Sequence, residues 1–157
     1  MATSAVPAAI DALVSILQAA AGLSGVTVVD GPPVGDQSDQ DYVYVGWQFD
    51  SESGAGVEIR QDFNAAGART RDEDFDILCQ LDSWTGDMDV ATRRTRAFAL
   101  LAAVEDAIRA TGAAPMAPTL SSTVLWAHLT AASLIQQHTP DGVQVGIKFR
   151  VTCRARI

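Results

Sequence analysis

The chain has 157 residues, 48% of them hydrophobic, and a formal net charge of -8. That length fits one globular domain, 1–157, able to bury roughly 70% of its unfolded surface, and no apolar run approaches the ~20 residues of a membrane-spanning helix. The opening "MATSAVPAAIDALVSIL" lacks the basic start of a signal peptide and two cysteines make no disulfide framework, so a chain made in the cytosol is expected, with Cys79 and Cys153 reduced and buried and no membrane contact.

Val6, Ile10, Leu13, Val14, Leu17 and Ala21 repeat at three and four, which predicts an amphipathic helix over 6–21 with Thr3 or Ser4 as N-cap. "GVTVVD" reads as a short strand and "GPPVGDQSDQD" as a loop. "YVYVGWQF" is apolar on both faces, as a central strand covered on each side would be. The stretch 50–72 is rich in Gly, Ser and Ala; it predicts a long, mobile loop, or a hairpin with "VEIRQDF" as one arm and "NAAG" as its tip. "FDILCQL" then alternates, Phe75, Ile77, Cys79 and Leu81 on one side, Asp74, Asp76, Gln80 and Asp82 on the other.

A second helix follows, capped by Asp87 or Asp89, with Val90, Ala97, Leu101, Val104 and Ile108 along its buried stripe. Arg93, Arg94 and Arg96 fall in its first turns, where the macrodipole disfavours cations. Either Asp87, Asp89 and Glu73 neutralise them locally or another subunit does. After the linker "APMAPTL", "STVLWAHLTAASLIQQH" forms a strand interrupted near "TAAS", and "TPDG" turns it into the closing strand "GVQVGIKFRVTCRARI". There Val143 to Ile157 alternate, leaving Lys148, Arg150, Arg154 and Arg156 on one face. Two helices against about five strands predict an α+β fold, a two-layer sandwich whose mostly antiparallel sheet carries both helices.

Charge is unevenly spread. Residues 1–59 hold eight acids and no Lys or Arg, while 60–157 balance at eleven against eleven. The basic stripe therefore meets either Asp74 and Asp76 of its own sheet or the acidic segment of a neighbouring copy, packed head to tail. No metal-ligand spacing or phosphate-cradling glycine loop is present, and His128 and His138 stand ten residues apart on one strand. No nucleophile has an identifiable base. The expectation is a non-enzymatic protein without cofactor. Sequence-specific nucleic-acid binding is not expected either, since no aromatic residue interleaves the four cations of the stripe.

The layout "GVTVVDGPP", "DYVYVGW", "RTRDEDFDILCQL", "ATRRTRAFALLAAVEDAIR", "APTL" and "GIKFRVTCRARI" resembles, over nearly the whole chain, the tail terminator proteins of bacteriophages with long, non-contractile tails. The resemblance implies a structural virion protein, assembled in the host cytoplasm, whose hexameric ring caps the head-proximal end of the tail tube. Such a ring stops polymerisation and supplies the head-joining surface. Its implied partners are further copies of itself, the major tail tube protein and a head-completion or neck protein, with DNA passing through the ring. Two other readings stand beside it. One is another neck or head-closure protein. The other is a small-molecule-binding α+β domain, which would need a sizeable pocket lined by Trp47, Trp84 or Trp126 with convergent polar groups.

Overall fold

The computed structural model describes residues 2–35 and 37–157; Met1 and Asp36, an acid of the first loop, lie outside the described residues. Helix α1 spans Val6–Ala19 and α2 spans Val90–Ile108. The strands are β1 (Thr27–Asp30), β2 (Asp41–Val45), β3 (Val57–Phe63), β4 (Arg71–Thr85), β5 (Trp126–Thr139) and β6 (Gly142–Arg156). They form one sheet in the order β1-β2-β4-β6-β5, with β3 also on β4. Only β1 and β2 run parallel. The expected α+β sandwich with a mostly antiparallel sheet is the observed architecture, and "VEIRQDF" supplies a sixth strand as the hairpin arm β3.

The alternation of β4 and β6 decides which layer is core. Phe75, Ile77, Cys79 and Leu81 pair in register with Cys153, Val151, Phe149 and Ile147, and all of them are buried. Leu13 and Leu17 of α1 and Leu100 and Val104 of α2, all at 0% exposure, close over that face. Each such side chain contributes about 1.5–3 kcal/mol of burial. Both cysteines are free thiols in this layer, and burial pushes each up to about 12.

Several boundaries differ from the sequence-based expectation. By its backbone the N-cap of α1 is Ala5, although the hydroxyl of Ser4, one of the two expected caps, does accept from the Val6 N–H at 3.1 Å. The helix end is satisfied from across the fold, because the Ala5 N–H donates to Glu73 Oε2 at 2.7 Å. Glu73 is fully buried on β4, and its other oxygen accepts from Gln61 Nε2 at 2.7 Å. A carboxyl group here also faces the positive end of the helix dipole. Glu73 thus serves α1 and not the arginines of α2. The strand in "YVYVGWQF" ends at Val45, and Gly46, at φ 75°, turns the chain away. "TAAS" does not break its strand; β5 runs through it with a bulge between Leu129 and Ala131.

β4 is the spine of the sheet. β6 accompanies one edge along most of its length, while the other edge is divided, Ser83 to Cys79 pairing with β2 and Ile77 to Arg71 with β3. At the join the Leu78 N–H donates to the Gly56 carbonyl at 2.9 Å. A Cβ on Gly56 would lie 2.2 Å from the Gly46 carbonyl oxygen, so the two chain segments can meet here only with glycine in place.

Candidate interaction face

The sheet surface away from the helices carries no helix, although Tyr42, Tyr44, Leu78 and Gln80 on it are buried, and its two ends differ in chemistry. At the end nearer the start of β4, the register sets Asp72 opposite Arg156, Asp74 opposite Arg154 and Asp76 opposite Thr152. The side chains close into a ladder. Arg156 Nε lies 2.7 Å from Asp72 Oδ1 and Arg154 Nη2 3.1 Å from Asp72 Oδ2, with Asp74 3.7 Å from Arg154. Arg150 reaches Asp76 at 3.2 Å and Glu58 of β3 at 3.4 Å, and the Thr152 hydroxyl donates to Asp76 at 2.5 Å. Hydrogen bonds from Arg156, with a second from Arg154, hold Asp72 below the usual carboxylate range. The arginines are about two-fifths or more exposed, so these are surface ion pairs, open to screening by salt.

At the other end lies a hollow of about 390 Å³. Its floor is Gln80 and Asp82 of β4 with Gln144, Gly146 and Lys148 of β6; its wall is Tyr44 of β2 with Trp47 and Phe49 beyond the Gly46 turn. The rings form a chain, Tyr44 to Trp47 at 5.0 Å and Trp47 to Phe49 at 6.3 Å, each pair edge to face. Gln80 is held at both ends, its Oε1 accepting from the Phe49 N–H at 2.8 Å and its Nε2 donating to Asp82 Oδ1 at 2.9 Å. Burial raises Asp82 above the ordinary carboxylate range, the Gln80 hydrogen bond working against it. Burial, with the neighbouring Asp82 charge adding to it, pushes Tyr44 up to about 12. A Cβ on Gly146 would stand 2.7 Å from Asp82 Oδ1, so that glycine makes the space the carboxyl occupies. Trp84 lines an adjoining hollow with Tyr42 and Asp82, whereas Trp126 stacks on His128 at 5.2 Å, away from both.

On the helix side, the arginines of α2 are spoken for by residues other than those expected. Arg96 pairs with Asp41 at 2.9 Å, and Asp41, itself buried, also accepts from the Ser83 hydroxyl at 2.6 Å. Arg93 donates to Ser83 Oγ at 3.2 Å while its Nε is buried without a partner, and Arg94 donates to Gln136 of β5 at 2.9 Å. Asp89 caps the helix by accepting from the Thr92 N–H at 3.1 Å, and the Thr92 hydroxyl, which donates to it at 2.5 Å, with that N–H second, holds its carboxyl below the ordinary value.

No family model matches this chain, and no curated protein matches it. A solved structure does. A chain of the "Virion of native gene transfer agent (GTA) particle" superposes with a TM-score of 0.62, covering 99% of this chain and 100% of that one at 14% identity. The shared feature is the fold, from first element to last.

Of the residues singled out from sequence, Arg150, Arg154, Arg156, Asp74 and Asp76 come together in the ladder, and Arg93 and Arg96 converge on Asp41 and Ser83. Lys148 stands apart from the ladder, in the hollow. Trp47 is one of the tryptophans the sequence offered for a pocket wall; the rest of the hollow escaped because its parts come from five separated segments. One signal pointed to it: Gly146 stands on the polar side of the alternation "VQVGIKF", and an isolated glycine inside a strand marks a close approach.

Proposed function

We propose that this chain is a structural virion protein whose ring caps the head-proximal end of a phage tail tube, ending tube polymerisation and presenting the head-joining surface. The end-to-end likeness to a virion chain carries the reading. It is supported by two of the free edges of the sheet, those of β3 and β5, which are not alike. β3 alternates charge along its edge with Glu58, Arg60 and Asp62, the usual protection against strand addition. β5 has no charged residue in 14, and its outer side is unpaired. A long uncharged edge of this kind is suited to a neighbouring copy, and a head-to-tail contact that closes on itself makes a ring. Termination then needs no chemistry. A tube grows by adding rings to one exposed face, and a ring that fits that face but shows a different surface outward stops it.

The ring's partners under this reading are five further copies in a hexamer, the tail tube protein and a neck protein, and its assembly takes place in the host cytoplasm. Phage lacking the protein should make normal heads and overgrown tails that fail to join them, as electron microscopy of the lysate would show. Normal-length tails attached to heads would overturn the reading. Normal-length tails left unjoined would favour a neck or head-closure protein instead.

A further inference from the structure

We propose that the hollow beside Trp47 is a binding site for an arginine side chain presented by a partner polypeptide, with the guanidinium received by the Asp82 carboxyl and the aromatic wall. This inference does not depend on the ring reading. It starts from an imbalance on the open face. The carboxylates of the ladder all have arginine partners, yet Asp82, on the same strand and the same face, has among the described residues only the Gln80 amide. A carboxyl taken out of water without a cation is costly unless something else supplies the charge.

The surroundings fit a planar cation better than a spherical one. Trp47 is the ring type that attracts cations most strongly, and a guanidinium can lie against it while presenting two parallel N–H groups to a carboxylate. The chain already sets a guanidinium on a ring elsewhere, Arg71 lying 5.8 Å from the Phe63 centroid. Among the described residues Asp50 and Asp82 line the hollow against Lys148 alone, so their formal charge there is negative despite the lysine. Gln80, fixed at both ends, holds the carboxyl in place before any ligand arrives. A polypeptide is the fitting source because apolar groups stand open beside the site, Phe49 on its wall at 53% exposure and Trp84 in the adjoining hollow at 37%, which a protein surface would cover.

The test uses the full chain labelled with 15N and two probes, N-acetyl-arginine amide and its neutral isostere N-acetyl-citrulline amide. The arginine probe should shift the Trp47 indole and the Gln80 side-chain amide, with a dissociation constant of order millimolar for so small a ligand. Asp82→Asn should weaken it at least about tenfold, as losing a charged partner does. Lys148→Gln, which removes the one like charge, should tighten it about two- to threefold. Equal shifts with the citrulline probe would overturn the proposal, and so would undiminished binding to Asp82→Asn or weaker binding to Lys148→Gln. The citrulline comparison is made on the unaltered protein, so it decides the matter even if a variant fails to fold.

Discussion

Asp72 and Asp82 sit on one strand and one face of it, ten residues apart, and their carboxyls are perturbed in opposite directions. Asp72 has two guanidiniums and is held low; Asp82 has an amide, three aromatic rings nearby and, among the described residues, no ion-pair partner, and is held high. The identity of the residue settles neither outcome. What differs is the opposing position on β6, arginine in one case and glycine in the other. Arg156 closes over Asp72, whereas Gly146 leaves the space beside Asp82 open.

The comparison breaks most visibly if that glycine is filled. Gly146→Val should displace the Asp82 carboxyl and cost about 1–3 kcal/mol in denaturant unfolding, through overpacking and the loss of the Gln80 hydrogen bond. Thr152→Val, on the same strand face but in the ladder, should cost about 1 kcal/mol for its bond to Asp76. Equal costs would mean that the hollow is not a built space.

Neutralising each acid separates the two ends by sign. Asp76→Asn leaves Arg150 with Glu58 alone and should lower stability by about 0.5–1 kcal/mol. Asp82→Asn removes a desolvated charge while keeping an acceptor for Gln80, so stability at pH 7 should hold or rise. A drop for both would place Asp82 in an ion pair after all.

Acid titration sharpens the same contrast. The lowered value of Asp72 means that its stabilisation is present above its unfolded value of 3.8 and is lost as pH falls through the folded value. The raised value of Asp82 works the other way, since protonation on descending from neutral pH relieves its burial and favours the folded state. Carboxyl NMR should therefore record the Asp82 midpoint above that of Asp72; the reverse order would contradict the geometry. The smallest effect is that of salt. Going from about 0.05 to 0.5 M should weaken the exposed ladder by tenths of a kcal/mol and leave Asp82 unmoved, because screening acts on exposed pairs and not on a desolvated group without one.

Much of the fold was legible because two periodicities were clean. The alternation of 143–157 and of 75–82 placed the buried face of both central strands, and the spacing of Leu13, Leu17, Val104 and Ile108 placed the helices on it. What escaped was what depended on distant partners. Ala5 reads as no cap at all, and the Glu73 carboxylate that accepts from its N–H lies 68 residues away. "TAAS" looks like a break because small side chains carry no alternation, yet backbone pairing to β6 alone sustains an edge strand. The ladder could be drawn from sequence as one of two alternatives, whereas the hollow needed the Gly46 turn to carry Trp47 and Phe49 back over the sheet.

The divided edge of β4 has a mechanical consequence. β3 contributes no fully buried side chain, and it is joined to the rest at a seam of two glycines, Gly46 and Gly56. Peeling it away would expose little apolar surface, while it would strip Gln61 from Glu73 and loosen the start of α1. We expect β3 to act as a flap hinged at that seam, and the first turn of the first helix to fray in step with it, so that a hand laid on one edge of the sheet is felt at the chain's beginning.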